Sequence, residues 1–308
     1  MIVALTGGTG GAKLIEGLAA EIDPARLTII CNTADDAIFY GLHVSPDLDT
    51  ILYTLAGLHD PDQGWGIAAD SFTVLEQLRR LGCEAWFKLG DKDLATHILR
   101  TQLMHGGFSL SEVTERLRCA LGVKAAILPM SNERVETRIT TPQGEISFQD
   151  YFVKRGWSPE VSAVRFAAAE ASRPASGVIE AIREAAAIVI CPSNPITSIG
   201  PILAVPGIRA ALCQCAAPIL AVSPIVGPAA ISGPAHRLMR ACGHDASPLG
   251  VARLYADFLD KFVIAEQDRG SAGAIEELQI EVLVSDILMP DGAARRRLAR
   301  RLLDFMGK

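Results

Sequence analysis

The chain has 308 residues, of which 49% are hydrophobic and 21% charged, as in ordinary globular proteins. Its formal net charge of −6 argues against a protein that binds duplex nucleic acid, because such proteins usually carry a basic surface. Small anionic ligands are not excluded, since backbone amides or a metal ion can bind phosphate on an acidic protein.

Targeting and redox signals are weak. No apolar run approaches the roughly 18 residues of a membrane helix, and residues 1–5 lack the basic segment of a signal peptide. The seven cysteines include no Cys-x-x-Cys pair, so we expect reduced thiols. We therefore expect a cytoplasmic protein with no membrane and no nucleic acid partner.

The first elements form one βαβ unit. A strand at residues 2–5 runs into a glycine-rich loop, and a helical spacing of Leu14, Leu18 and Ile22 leads to a second strand at 27–31. Both strands are continuous apolar runs, which is typical of parallel strands covered on both faces.

A polar loop follows at residues 32–49, and helical patterns then occupy 50–57, 71–81, 93–105 and 110–121. We interpret roughly 50–122 as a helical insertion beside the sheet. A strand at 125–128 precedes a predicted β-hairpin, whose strands are residues 135–141 and 145–148.

The second half continues the α/β pattern. A helix at 175–185 precedes a strand at 187–191, a further strand is predicted at 219–222, and a basic helix at 292–306 is expected to dock on the domain. Several strands end in loops rich in Gly, Ser, Asn or Pro, and ligands bind at such strand ends. The prediction is a single α/β domain over 1–308, with a Rossmann-like parallel sheet, the helical insertion and a small β-hairpin.

The first candidate site is the glycine-rich loop, which comprises Gly7, Gly8, Thr9, Gly10 and Gly11. Glycines allow close approach of a ligand, and N–H groups at a helix start favour phosphate, although a tight turn alone would also use glycine. Lys13 could add a charge to that phosphate or be an ordinary surface lysine. Its neighbours Ala12 and Leu14 exclude a Walker A motif.

The second candidate site is a set of aspartates, Asp35, Asp36, Asp47 and Asp49. In a dinucleotide enzyme Asp35 or Asp36 would hold a ribose, whereas paired carboxylates near a phosphate loop suit Mg²⁺. Asp47 or Asp49 could also simply cap the helix expected near residue 50.

Two further segments carry polar residues. In the segment 88–93 Asp91 is expected to cap the helix that begins at 93, Lys88 is not explained by capping, and His97 is favoured as structural. The loop 192–199 offers Ser193 and Asn194 among more hydrogen-bonding groups than a turn needs, so contact with a nucleotide is plausible. No serine–histidine–aspartate arrangement is evident.

In order, these motifs resemble the 2-phospho-L-lactate transferase family of coenzyme F-420 biosynthesis over residues 1–268. The motifs that carry the resemblance are residues 6–14, 32–36, 45–50, 88–91, 128–131, 192–199, 222–225 and 232–235. The resemblance implies a donor in which guanosine diphosphate activates a three-carbon acid. It also implies a deazaflavin acceptor, release of GMP, a requirement for Mg²⁺ and a homodimer.

By the resemblance, Asp49 and Lys88 would contact the deazaflavin. The nucleotide would be held by Gly7–Gly11, Lys13, Asn32, Ser193 and Asn194. Asp47 and Asp49 are the candidate catalytic residues. Separately from the resemblance, we infer that they would place Mg²⁺ together with Asp35 or Asp36. Asp49 could instead be a general base. Two positions depart from the family pattern, Ala265 and His236, where aspartate and lysine are expected.

Two other functions stay open at this stage. A non-catalytic regulator that binds a nucleotide sugar would share the glycine-rich start but should lack the 45–50 motif. An NAD-dependent dehydrogenase would use Asp35 or Asp36, but the glycine motif is imperfect.

Overall fold

The computed structural model describes residues 1–61, 63–227, 229–230 and 233–308. Ser232 of the expected 232–235 motif lies outside the described residues. In chain order the strands are β1 (Ile2–Thr6), β2 (Leu27–Cys31), β3 (Ala37–Phe39), β4 (Leu42–Val44), β5 (Ala126–Pro129), β6 (Glu136–Thr141), β7 (Gly144–Ser147), β8 (Ala163–Ala167), β9 (Ala187–Ile190), β10 (Ile219–Val222), β11 (Ile225–Val226), β12 (Ala229–Ala230), β13 (Lys261–Ala265) and β14 (Glu281–Ser285). The α-helices are α1 (Gly8–Glu21), α2 (Pro46–Leu55), α3 (Thr73–Arg80), α4 (Asp93–His105), α5 (Leu110–Ala120), α6 (Val178–Glu184), α7 (Gly200–Ala204), α8 (Ile208–Cys213), α9 (Ala235–Ala241), α10 (Pro248–Tyr255), α11 (Ala272–Glu276) and α12 (Gly292–Phe305).

A seven-stranded sheet forms the centre, in the order β14-β13-β10-β9-β1-β2-β5, and all of its pairs are parallel. This confirms the predicted α/β fold with a parallel sheet. The predicted hairpin is present as β6–β7, and β8 extends it to three antiparallel strands. β8 was not predicted.

Both faces of the sheet are buried, which explains the unbroken apolar runs of the strands. On β1, Val3 and Leu5 point into one core with residues of α6 to α11. Ile2 and Ala4 point into the opposite core, which α1, α2, α5 and α12 cover. Alternate residues of a strand face opposite sides, so each central strand has to be apolar throughout.

Two predictions of element boundaries were wrong near the strand ends. The segment 32–49 is not one loop, because β3 and β4 pair as an antiparallel hairpin within it. The next helix begins at Pro46 rather than near residue 50, since proline is compatible with the first helical turn. Asp47 and Asp49 therefore lie in the first turn of α2 instead of before it.

The C-terminal basic helix packs as expected. α12 lies along α1, with Arg295 bonded to Glu16 and both Arg296 and Arg300 bonded to Glu21. None of the helices in the described part of the chain combines the length and apolarity needed to cross a bilayer.

Candidate active site

The carboxyl ends of three neighbouring strands, β9, β1 and β2, define one edge of the sheet. In this sheet β2 and β5 lie on one side of β1, and β9, β10, β13 and β14 lie on the other side. The boundary between β1 and β9 is thus a topological switch point, where open α/β sheets leave a crevice for ligands.

The glycine-rich segment is the start of helix α1 rather than a separate loop. α1 begins at Gly8, whose φ of +70° favours glycine. Gly7 is extended, but a Cβ placed there would lie 2.6 Å from Asp47 Oδ2. This turn therefore depends on glycine both for its backbone conformation and for the close approach of an acidic side chain.

Ser193 joins the glycine turn to the end of β9. Its hydroxyl donates to the Gly7 carbonyl at 2.7 Å and accepts from the Gly7 N–H at 3.2 Å. The next residue, Asn194, accepts through Oδ1 from the N–H groups of Ile196 and Thr197 and so caps the π-helical turn Pro195–Ile199. Asn194 is half-buried, and its Nδ2 has no partner among the described residues.

Asn32, Asp35 and Asp47 form what we call the acidic centre, directly after β2. The Asn32 Nδ2 lies 2.9 Å from Asp47 Oδ2, 3.2 Å from Asp35 Oδ2 and 3.3 Å from the Thr197 carbonyl. Asp47 Oδ1 accepts the Gly8 N–H at 2.8 Å. Asp47 thus contacts the first turn of α1, and Asn32 brings Asp35 close to Asp47 at one buried point.

Burial sets the charge state of the acidic centre. It raises the pKa of Asp47 to about 6, against the hydrogen bonds from Asn32 and Gly8, which lower it. Burial and the nearby Asp47 carboxylate raise the pKa of Asp35 well above its usual range. Asp35 Oδ1 is buried without a hydrogen bond, although the Thr137 hydroxyl is near enough to lower that pKa. Such a pair favours a cation or protons.

Asp36 has different hydrogen-bond partners from the adjacent Asp35. Its Oδ2 accepts from the Ser45 hydroxyl at 2.7 Å and lies 3.1 Å from His43 Nε2, while Oδ1 is buried without a partner. Burial raises the Asp36 pKa, against the hydrogen bond from His43. Asp36 therefore ties the β3–β4 hairpin to the start of α2.

Asp49 is held by a second set of residues, which we call the α2–α4 network: Asp49, Tyr53, Asp93, His97 and Arg100. Both carboxylate oxygens of Asp49 accept from Arg100, with NH1 at 3.0 Å from Oδ2 and NH2 on Oδ1. His97 Nδ1 lies 3.2 Å from Arg100 NH1 and 3.7 Å from Asp49 Oδ2. The predicted structural character of His97 agrees with this placement.

The two candidate lysines lie apart from these buried groups. Lys13 is half-buried in the second turn of α1, and Lys88 is exposed. Neither makes an ion pair within the part of the chain that the structure describes. The segment around Lys88 is anchored by Phe87, whose ring stacks on Phe39 at 3.8 Å and whose carbonyl accepts the Tyr40 hydroxyl.

The structure thus brings Gly7, Gly8, Asn32, Asp35, Asp47 and Ser193 together, and joins Asp49 to Arg100 instead. Sequence reasoning missed Arg100, His43 and Ser45. A signal for Arg100 exists, because Asp93, His97 and Arg100 recur at helical spacing on the buried face of α4. Charged residues on a buried face require partners.

Magnesium remains the cation to test against this geometry. Among the described residues, no group of three or more His, Cys, Asp or Glu side chains is close enough to bind one metal ion. Mg²⁺, however, is usually held by one or two carboxylates together with waters and phosphate oxygens. The adjacent carboxylates of Asp35 and Asp47, with an unpartnered oxygen on Asp35, fit that donor set.

Comparisons with known proteins bear on the fold and the family of the chain. A crystal structure of a UPF0052 family protein from Bacillus halodurans superimposes with a TM-score of 0.64 at 17% identity, covers 98% of both chains and supports the fold. A 2-phospho-L-lactate transferase of Methanosarcina acetivorans is 43% identical over 298 residues, 97% of this chain and 96% of that protein. A phosphoenolpyruvate transferase of Streptomyces griseus subsp. griseus is 43% identical over 310 residues, 99% of this chain and 98% of that protein. A sequence profile described as 2-phospho-L-lactate transferase CofD matches residues 2–288, and the chain belongs to that family.

Proposed function

We propose that this transferase moves a phosphorylated three-carbon acid from a GDP-activated donor to a deazaflavin, 7,8-didemethyl-8-hydroxy-5-deazariboflavin. The terminal ribityl hydroxyl attacks the phosphorus that bears the acid, the bond to the GMP phosphate breaks, and GMP leaves. The product is the F-420 species without glutamates. The observation that carries the proposal is the contact of the buried Asp47 carboxylate with the glycine turn at the sheet edge.

The glycine turn is the proposed site of the donor nucleotide. Gly7 precedes the 14-residue helix α1, and Gly8–Gly11 form its first turn, where N–H groups have no intrahelical acceptor and attract phosphate. Ser193 fixes the turn, Asn194 offers its free amide to the nucleotide, and Lys13 lies one turn further along. Asn32 acts indirectly, because it is fully buried and orients the carboxylates.

Asp35 and Asp47 would hold Mg²⁺, and the ion would neutralise charge on the diphosphate and on the leaving GMP. Asp36 and Asp49, the other two candidates, have nearer partners in Ser45, His43 and Arg100. Asp35 and Asp47 would also orient the phosphates, since Asp47 already binds the first helical turn of α1.

Asp49 and Lys88 would bind the deazaflavin. Asp49 can still accept from a ribityl hydroxyl, because a carboxylate has about four acceptor positions and Arg100 occupies two. Lys88 is exposed and can close on the ligand from solvent. The hydroxyl proton leaves to Asp47 or Asp49, the two carboxylates of the first turn of α2.

The identity of the three-carbon acid has to be determined by experiment. Relatives named for 2-phospho-L-lactate and for phosphoenolpyruvate are equally similar, at 43% identity. Discrimination between such analogues can depend on one or two polar contacts. Phospholactate, phosphoenolpyruvate and 3-phosphoglycerate are therefore all to be tested. The family resemblance also supports a homodimer in the cytoplasm.

The decisive experiment is a product assay by mass spectrometry. Purified protein, the deazaflavin, Mg²⁺ and GTP are incubated with a matched guanylyltransferase and each of the three acids separately. We expect a phosphodiester from one acid, with release of GMP. Asp47→Asn should abolish it, whereas Asp304→Asn, an exposed change on α12, should not. If no acid gives a product although the protein still binds nucleotide, the result would instead support the alternative function, a non-catalytic regulator that binds a nucleotide sugar.

A further inference from the structure

The α2–α4 network joins two helices through one continuous set of buried polar contacts. Asp49 and Tyr53 lie four residues apart on α2, and Asp93, His97 and Arg100 lie on one face of α4. The Tyr53 hydroxyl donates to Asp93 Oδ1 at 2.6 Å, and His97 Nε2 lies 3.1 Å from the same oxygen. Arg100 then connects His97 to Asp49.

The chemistry of arginine determines the role of His97 Nδ1. A guanidinium only donates hydrogen bonds, so His97 Nδ1 beside Arg100 NH1 has to be the acceptor. The other ring nitrogen, Nε2, lies 3.1 Å from Asp93 Oδ1. His97 thus accepts a hydrogen bond from Arg100, and Arg100 in turn donates to both carboxylate oxygens of Asp49.

The network is too costly and too specific for simple packing. Arg100 is 0% exposed and His97 1%, and burying such groups is unfavourable unless they are paired. Arg100 Nε and His97 Nε2 are buried without a hydrogen bond, so the pairing of Arg100 with Asp49 has to offset most of that cost. The two-point fork of a guanidinium fixes both oxygens of a carboxylate, which a lysine could not do. Meanwhile α4 follows directly after the segment that carries Lys88.

We propose that Arg100 is a positioning residue, held by His97, that fixes the Asp49 carboxylate relative to the Lys88 segment so that both meet the acceptor. The inference rests on the proposed role of Asp49 and Lys88 in acceptor binding. Arg100 is fully enclosed and acts on the acceptor only through Asp49.

The test distinguishes an effect on acceptor binding from an effect on donor binding. Arg100→Lys keeps the charge and loses the fork, so we expect KM for the deazaflavin to rise about tenfold or more while KM for the donor stays unchanged. In an Asp49→Asn background the same change should add less than about twofold. Arg253→Lys, an exposed change on α10, is the matched control and should leave both values unchanged.

A second pair of variants serves if Arg100→Lys does not fold. His97→Asn retains an acceptor near the Nδ1 position and should keep KM for the acceptor near the wild-type value. His97→Leu removes that acceptor and should raise the same KM. Full additivity of the Arg100 and Asp49 changes, or an equal effect on donor and acceptor, would overturn the inference.

The proposed function and this inference fail in different ways. Wild-type protein that neither binds nor modifies the deazaflavin refutes the function. The positioning role is then read from a crystal structure of the Arg100→Lys variant. A displaced Asp49 carboxylate supports it, and an unmoved one refutes it.

Discussion

One amide, that of Asn32, organises the acidic centre at the scale of single residues. It lies between the carboxylates of Asp35 and Asp47 and the Thr197 carbonyl, so it provides donors where three acceptors meet. Two N–H bonds cannot fully satisfy three acceptors. Burial is the main cause of the raised pKa values of Asp35 and Asp47, and the hydrogen bonds from Asn32 offset only part of it.

The raised pKa of Asp47 predicts a pH dependence of stability in the metal-free protein. Between about pH 4 and pH 6 the folded state binds the Asp47 proton and the unfolded state has lost it, so the contribution of Asp47 to the free energy of unfolding falls as pH rises. The change from 3.8 to about 6 corresponds to about 3 kcal/mol. Asp35 acts in the same direction.

Urea unfolding in the presence of EDTA from pH 4 to pH 7.5 measures this effect. Asp47→Asn should flatten the decline, and Asp304→Asn should reproduce the wild-type curve. Saturating Mg²⁺ should recover stability above pH 6 in the wild type and less in Asp47→Asn. Parallel curves of the wild type and Asp47→Asn between pH 4 and pH 6 would contradict the assigned burial of Asp47, because carboxylates with lowered pKa values, such as Asp93, contribute equally to both curves.

At the scale of elements, α3 and α4 exchange their N-terminal caps, since the aspartate that precedes each helix in the chain caps the other helix. Asp91 precedes α4 in the chain, but its carboxylate accepts from the N–H groups of Thr73 and Val74 at the start of α3. Asp70, just before α3, accepts from Lys92 and Asp93 at the start of α4. The expectation that Asp91 caps the helix beginning at 93 was wrong, because the two starts lie side by side.

Gly90 tests this exchange, because a Cβ at that position would overlap the Asp70 carboxylate. Gly90→Ala should displace Asp70 and lower the free energy of unfolding by about 1–2 kcal/mol, the usual cost of losing a cap. Amide hydrogen exchange at Lys92 and Asp93 should accelerate. Gly273→Ala in α11, where a Cβ meets nothing within 4 Å, should be neutral or slightly stabilising. Equal effects of the two changes would contradict the exchange.

Elements with a strong local signal were predictable from sequence, and contacts between distant segments were not. β1 and β2 are runs of buried apolar residues, so they were found with nearly correct bounds. β3 and β4 have three residues each within a polar stretch and gave no periodic signal. Asp49 was identified as a candidate, but its partner Arg100 lies 51 residues away on another helix. Only the folded chain brings them together.

On the scale of the whole molecule, α12 fixes the helix that carries the glycine turn. α12 follows the edge strand β14 and packs along α1, so the last segment of the chain supports the helix beside the central strand. The contact is close because Gly17 of α1 faces the Arg295 carbonyl, and a Cβ there would overlap that oxygen. Around it, Arg296 and Arg300 bond to Glu21.

Backbone contact rather than ion pairing should therefore dominate this interface. Gly17→Ala forces two helix backbones apart and should lower the free energy of unfolding by about 1–3 kcal/mol. Glu21→Gln should have a smaller effect that disappears in high salt, since its partners Arg296 and Arg300 are 57% and 62% exposed. Urea unfolding at low and high salt compares the two. A larger loss from Glu21→Gln than from Gly17→Ala would show that α12 is held by charge and not by the close fit of its backbone.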